Sequence, residues 1–502
     1  MRKFLLATTS MLAGLAFTVG VAQADNATGY GNSGTLFVTG SGDLRADNRI
    51  VGGNLSNTGA INNSQDSVAA GASNVQVGDN DGPVFVGVEN PGASFDTSRA
   101  AGNRTALDQS TGGGVSATNL LGSDNQPAGV FDNDQSATAI GNEGVVDLLN
   151  KGRIRAGSDD VRATAEGNSS RVNQTLGGTT IDAGNVIEAL PIGPGDLNDN
   201  EQTATAYGNS AFQTAVNRAA VTAEGRELQS PRVPDATAKG NDLDATQVNR
   251  ANVSATNRIS GTPTFDEEAG RGFRANGNTQ SASAFGNVAV QDADNRAYIG
   301  ASSYIDATSN VARIAATGNE LRAVQTNRGD QTARNVIEVT SSSQANTNEQ
   351  SAVTVGNSAS QTGLNRAPVF AGPDNNPGGE DGSYAIGNSL IGNQVNTGDQ
   401  RSVNVLDVSQ VGNLNQESSQ TALAFGNELI QSGTNRSAVT SDDGPLAIGN
   451  SLSGSQVNNG AQQALNIVRG GIETSEISQS ATAIGSSGSQ TMTNSRSVSV
   501  IE

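Results

Sequence analysis

The chain has 502 residues and contains neither cysteine nor histidine. That removes thiolate nucleophiles, Cys/His zinc centres and imidazole acid–base catalysis. Carboxylate, Ser–Lys and arginine chemistry remain. Beyond Lys3 the only lysines are Lys151 and Lys239, and Lys151 fills a slot that is otherwise arginine in a repeated pattern, which marks it as structural. Paired carboxylates of the glycosidase kind need an acid and a base held apart across a sugar cleft. Here Glu267–Glu268 and the Asp clusters fall in apparent loops, with no Trp in the chain to form a platform. The segments DNDG from Asp79 and DLNDNE from Asp196 gather oxygen ligands of the kind calcium takes. They match neither the 12-residue calcium loop nor a G-G-x-G-x-D array, and solvated turns are the expectation. Arg328–Gly329–Asp330 has the look of a receptor-binding tripeptide. Its equivalents read Thr397–Gly398–Asp399 and Asn459–Gly460–Ala461, so it is a repeat turn. We expect no enzyme, no cofactor and no metal.

The residues with regular spacing are amides. Six related segments start at Gln135, Gln202, Gln280, Gln350, Gln420 and Gln479, reading QSATAIGN, QTATAYGN, QSASAFGN, QSAVTVGN, QTALAFGN and QSATAIGS. A second glutamine follows at Gln213, Gln291, Gln361, Gln431 and Gln490. An asparagine follows at Asn150, Asn217, Asn295, Asn365, Asn435 and Asn494. A carboxamide both donates and accepts, so identical amides set one above another can hydrogen-bond along a stack. Gln202, Gln213, Asn217, Gln280, Gln291, Asn295, Gln350, Gln361, Asn365, Gln420, Gln431, Asn435, Gln479, Gln490 and Asn494 are the candidate ladder positions. Lys151, Arg218, Arg296, Arg366 and Arg436 each follow the asparagine. They form either a row facing an acidic polysaccharide or, as expected here, partners for nearby Asp and Glu.

These residues need elements that repeat. TALAF, TATAY and SASAF alternate with period two, which predicts strands. The Gly-Asn that follows predicts a turn, because both residues tolerate left-handed angles. A shorter relative lies between the copies: AKGNDLDATQVNR from Ala238, ATGNELRAVQTNR from Ala316, AIGNSLIGNQVNT from Ala385 and AIGNSLSGSQVNN from Ala447. Strand-turn-strand units of about 20 residues within superunits of about 60–80 must stack to bury a face. The predicted fold is all-β, a repeat-built β-solenoid with Asn/Gln ladders. Ala422 and Ala424 face a narrow interior.

Composition agrees with order by repetition. Apolar residues are 34%, aromatic residues 3% and glycines 62, too little bulk for several ordinary cores. Disorder would not place amides at fixed offsets. Residues 1–24 read as a secretory signal peptide, basic then apolar and ending Ala22–Gln23–Ala24. Residues 25–130 read as a divergent Gly/Asn-rich β region or cap. Residues 131–502 read as the repeat domain, with loop insertions near 177–200, 259–279 and 367–383. A net charge of −20 opposes nucleic acid as a partner.

SQVGNLNQESSQTALAFGN from Ser409 and AYGNSAFQTAVNRA from Ala206 resemble curlin repeats, the units of bacterial functional amyloid. The resemblance spans roughly 130–502. Length, superunit and insertions depart from small fibre subunits and look more like curlin-like anchor proteins that hold a holdfast polysaccharide adhesin. This implies an exported structural or adhesive surface protein, amyloid-like in one form. Its partners would be itself, other surface-fibre or anchor proteins and an outer-membrane export or anchoring pore, with extracellular polysaccharide a further candidate. It would reside at the cell surface or outside the cell. The alternative is a carbohydrate-binding or polysaccharide-acting β-solenoid with a loop-borne acidic site.

Overall fold

The alternation of hydroxyl and small apolar residues sends one row of each segment inward, and rows with the same spacing pair most readily with their own copies. The computed structural model describes residues 26–53, 60–61, 64–86, 97–124, 130–158, 162–177, 180–190, 197–227, 235–261, 273–305, 313–340, 342–373, 382–409, 414–442, 446–470, 473–475 and 477–501. Among them every regular element is a β-strand. The chain winds as coil 1 (26–86), coil 2 (97–158), coil 3 (162–227), coil 4 (235–305), coil 5 (313–373), coil 6 (382–442) and coil 7 (446–501). It is a parallel β-solenoid.

Each coil passes through five walls. In coil 4, wall I is Asp235–Asn249, wall II is Asn252–Gly261, wall III is Phe273–Arg274, wall IV is Thr279–Asn295 and wall V is Ile299–Ile305. Walls I, II, IV and V are 7-stranded sheets, and wall III is divided into 3-stranded and 4-stranded sheets. Successive coils pair in parallel with like residues side by side, as Gln202 beside Gln135 and Gln280.

The repeating rung is the whole superunit, which corrects the expectation of 20-residue rungs. The long amide segment forms wall IV and its shorter relative forms wall I of the same coil. The two face each other across the core. The reason is that Gly-Asn does not reverse the chain: Gly426–Asn427 lies inside the strand Ser419–Asn435. Ala422, Ala424 and Gly426 point inward, and then Asn427, Leu429, Gln431 and Asn435 do. Two adjacent inward residues shift the alternation and bend the wall. Glycine is required there by proximity: a Cβ on Gly356 would strike the carbonyl oxygen of Gly426 and the side chain of Asn396. The left-handed turn sits elsewhere, between walls III and IV, at Asp132, Asp199, Gly277, Thr347 and Glu417.

Ala422 and Ala424 are buried. Alanines of wall IV (Ala204, Ala206, Ala282, Ala284) pack with Ala183, Ala255 and Ala333 of wall II, so that compartment is thin. Bulkier side chains fill the others: Leu243, Leu321 and Leu390 of wall I meet Leu148 and Leu429 of wall IV. Ile154, Val221, Ile299 and Val369 of wall V meet Ala163, Ala236 and Ile314.

The described residues of 26–124 form coil 1 and the first two walls of coil 2, in register with the rest, for example Asn103 beside Asn168. The insertions are narrower than expected: Thr180–Leu190, Asn252–Gly261 and Val369–Pro373 are strands. Their centres at 191–196, 262–272 and 374–381, including Glu267–Glu268, lie outside the described residues, as does the segment 1–24.

Candidate functional site: amide columns, a cationic turn and two open edges

Wall IV carries three of the expected columns. Gln202 Nε2 donates to Gln135 Oε1 at 2.8 Å, Gln280 to Gln202 at 2.8 Å, Gln350 to Gln280 at 2.8 Å, Gln420 to Gln350 at 2.7 Å and Gln479 to Gln420 at 2.7 Å. Gln291, Gln361, Gln431 and Gln490 likewise donate to Gln213, Gln291, Gln361 and Gln431 at 2.7–2.8 Å. Asn150, Asn217, Asn295, Asn365 and Asn435 donate the other way, to Asn217, Asn295, Asn365, Asn435 and Asn494, at 2.7–2.9 Å.

The glutamines also donate across the core, whereas Asn435 donates locally to the Ser437 carbonyl at 2.8 Å. Gln420 reaches the Ile467 carbonyl at 3.3 Å and Gln431 that of Ser453 at 3.1 Å. Asn427 reaches the Val457 carbonyl at 2.9 Å. Such bonds are worth about 0.5–1.5 kcal/mol each, whereas a buried amide left unpaired costs about 1–3 kcal/mol. The columns are thus both the glue and the register of the stack.

Other columns run beside them. The asparagines of the wall IV bend, Asn142, Asn209, Asn287, Asn357 and Asn427, form one. Asn32 to Asn450 of wall I form a second, and Asn48 to Asn466 of wall II a third. Asn133, Asn200, Asn278 and Asn348, at the entry to wall IV, form a fourth. That last column escaped sequence reasoning, although its signal is an asparagine two residues before Gln135, Gln202, Gln280 and Gln350.

Direction separates the two amide types. Along the stack, the described Asn–Asn bonds donate toward the C-terminal coil and the Gln–Gln bonds toward the N-terminal coil. Opposed columns offset one another's dipoles while each gains from head-to-tail polarisation.

No protein-family model, curated protein or solved structure matches the chain. The chemistry of the site therefore rests on its own geometry.

The two described lysines are held as cations. Lys151 Nζ lies 2.8 Å from Asp79 and 2.9 Å from Asp81, and hydrogen bonds to Asp79 and then Asp81 raise its pKa. Burial alone would lower Lys239. The charges of Asp242 and Glu320, 3.0 and 2.7 Å away, outweigh that and push it well above its ordinary value. A nucleophilic or basic lysine needs the opposite shift. Asp79 and Asp81 thus face an ammonium group. Among the described residues no group of three or more carboxylates is placed to hold a metal.

The cations after the wall IV asparagine share one turn. The backbone N–H of Lys151, Arg218, Arg296, Arg366 and Arg436 donates to the carbonyl of Asn80, Asn150, Asn217, Asn295 and Asn365 in the coil before, each at 2.7–2.8 Å. All five side chains are exposed. The expected pairing is partial: Arg296 and Arg366 share Asp294 at 2.6 and 3.2 Å. Arg218 and Arg436 have no carboxylate within 4.0 Å among the described residues.

Both ends of the described stack are open. Asn26–Gly40 pairs on one side only, with Thr97–Thr111, and Ser478–Asn494 on one side only, with Ser419–Asn435. The inward row that is buried in Ser419–Asn435 is exposed in Ser478–Asn494. An unpaired strand edge is a template for another strand.

Proposed function

We propose that this is an exported structural and adhesive surface protein that contributes to cell-surface attachment, holdfast anchoring or biofilm matrix through its stacked β-coils. The observation that carries this reading is the polarity of the amide columns at the two open edges. Coil 7 offers Asn N–H groups and Gln carbonyls, and coil 1 offers Asn carbonyls and Gln N–H groups. Placed head to tail, Asn450 of one copy meets Asn32 of the next, Asn466 meets Asn48 and Asn494 meets Asn80, while Gln65 donates back to Gln479. Head-to-head contact would oppose donor to donor. Strand addition of this kind gives a stiff rod, amyloid-like where many copies join. The apolar N-terminal segment would direct export, and an outer-membrane pore or another fibre or anchor protein would hold the rod at the surface.

The test is assembly of the purified chain against concentration, followed by light scattering and electron microscopy. Asn450→Asp with Asn494→Asp replaces donors by anions at the open edge and should stop elongation without unfolding coils 1–6. Deletion in the host should release cells or their adhesive matrix. A chain that stays monomeric at every concentration, in a host whose attachment survives deletion, overturns the reading.

A further inference from the structure

The turn that follows wall IV repeats one charge five times on an otherwise acidic chain. Lys151, Arg218, Arg296, Arg366 and Arg436 leave the same backbone position in successive coils, so the pitch of the sheet, about 4.8 Å, sets their spacing. Like charges held that close repel, and the fold neither scatters nor buries them. At the ends of the row the slot itself holds no cation, being Asp81 in coil 1 and Ser495 in coil 7, and Asp79 and Asp81 pair with Lys151. Asp294 serves Arg296 and Arg366 together, leaving the row net positive.

An aromatic shelf adjoins it. Tyr298, two residues beyond Arg296, is 40% exposed, and its ring lies over Gly300, where a Cβ would come within 2.5 Å of it. In the next coil Phe370 stands beside Gly300 and its ring leans over Gly372. Glycine at those positions leaves room for the two rings on wall V, the element that follows the cationic turn.

We infer that this edge binds an anionic polysaccharide, one bearing carboxylates along its chain. An extended uronate polymer advances by about one sugar per coil, so successive carboxylates meet successive guanidinium groups, each able to bind bidentately. The C–H faces of the sugar rings settle on Tyr298 and Phe370. The adhesive reading above supplies the setting for this partner, and the site itself is complete on one copy. A single column flanked by carboxylates suits a polymer of modest charge density better than a nucleic acid, whose binding needs a broad basic face.

The experiment measures binding of the monomeric chain to polygalacturonate, with dextran and single-stranded DNA as comparison probes. The triple variant Arg218→Gln, Arg366→Gln, Arg436→Gln should fold normally, since serine serves the same turn in coil 7, and should bind polygalacturonate roughly tenfold or more weakly. Arg250→Gln with Arg328→Gln, exposed cations at the turn after wall I, should bind as the parent does. Salt at about 0.5 M should weaken the parent's binding, because screening then acts within a few ångströms. Equal binding of dextran, preference for DNA, an unaffected triple variant or an equally impaired control overturns the proposal. Because it is read on monomers, failure here leaves assembly and attachment standing, and failure of assembly leaves this result standing.

Discussion

Asn427 and Gln431 stand four residues apart on one strand, and their amides run in opposite directions along the stack. Asn357 Nδ2 donates upward to Asn427 Oδ1 at 2.9 Å, while Gln431 Nε2 donates downward to Gln361 Oε1 at 2.8 Å. Their remaining N–H groups both cross to wall I, at Val457 and Ser453. Every donor of this pair is used, so a polar interior can replace the large apolar side chains that the chain lacks.

A ladder position in the middle of the stack should therefore be costly to remove. Asn287→Ala takes the acceptor from Asn209, the donor from Asn357 and the cross-core bond to Thr326. We expect a loss of about 2–4 kcal/mol from two buried amides left unpaired. Asn450→Ala, at the open edge, should cost less than about 1 kcal/mol. Hydrogen exchange of coils 3–5 against coil 7 separates the two, since in a repeat protein the loss is local.

The bends give a sharper contrast between glycines. Gly356→Ala places a methyl against the backbone of Gly426 and the amide of Asn396, and neither can withdraw without breaking a column. The cost should be about 1–3 kcal/mol. At Gly34 an added methyl meets nothing within 4 Å. Gly34→Ala should be neutral or stabilising by up to about 1 kcal/mol, since alanine restricts the unfolded chain. Denaturant midpoints compare them directly.

These two cases also mark what the sequence makes legible. The glutamines of wall IV announce themselves because a ladder requires one residue type at one offset, and period-two alternation around Ala422 and Ala424 announces the strands. The Gly-Asn pair misleads because its composition is that of a turn. The requirement at Gly426 is closeness to the next coil's backbone, a tertiary demand with no local signature. The true left-handed turn is occupied by Asp132, Asp199, Gly277, Thr347 and Glu417, residues too varied to betray it. The size of a coil follows from this, since a chain that does not reverse at Gly-Asn must travel the whole superunit before stacking on itself. The row of arginines was visible, but its incomplete neutralisation depends on which carboxylates the coil brings near.

Stability should rise modestly on acidification through the carboxylate range before general acid unfolding begins. Partial burial, and then the charge of Asp294, raises the pKa of Asp292, although that residue stays largely exposed; partial burial also raises Asp182 and Asp244. A carboxylate with a raised folded pKa binds more protons in the native state, so its penalty is present at neutral pH and fades as pH falls through the folded value. Asp292→Asn should accordingly raise the melting temperature at pH 7 and leave it unchanged near pH 3, where the parent's carboxyl is already neutral. Melts of both proteins across that range check the sign. A variant that is no more stable at pH 7 would show that Asp292 is solvated in the folded chain.

Lys239 should behave in the opposite sense and in a different window. Its ammonium group is shared by Asp242 within the coil and Glu320 in the next. Because its folded pKa is raised, its contribution is complete below the unfolded lysine value and is lost only as pH climbs through the folded one. Lys239→Met should therefore cost about 1–3 kcal/mol, the side chain being partly buried and two carboxylates left facing one another. That cost should be the same at pH 6 and pH 9 and should shrink toward pH 3 as Asp242 and Glu320 take up protons. Measuring the difference in unfolding free energy at those three pH values distinguishes an ion triad from mere packing of the lysine stem, which would give a cost that does not change with acid.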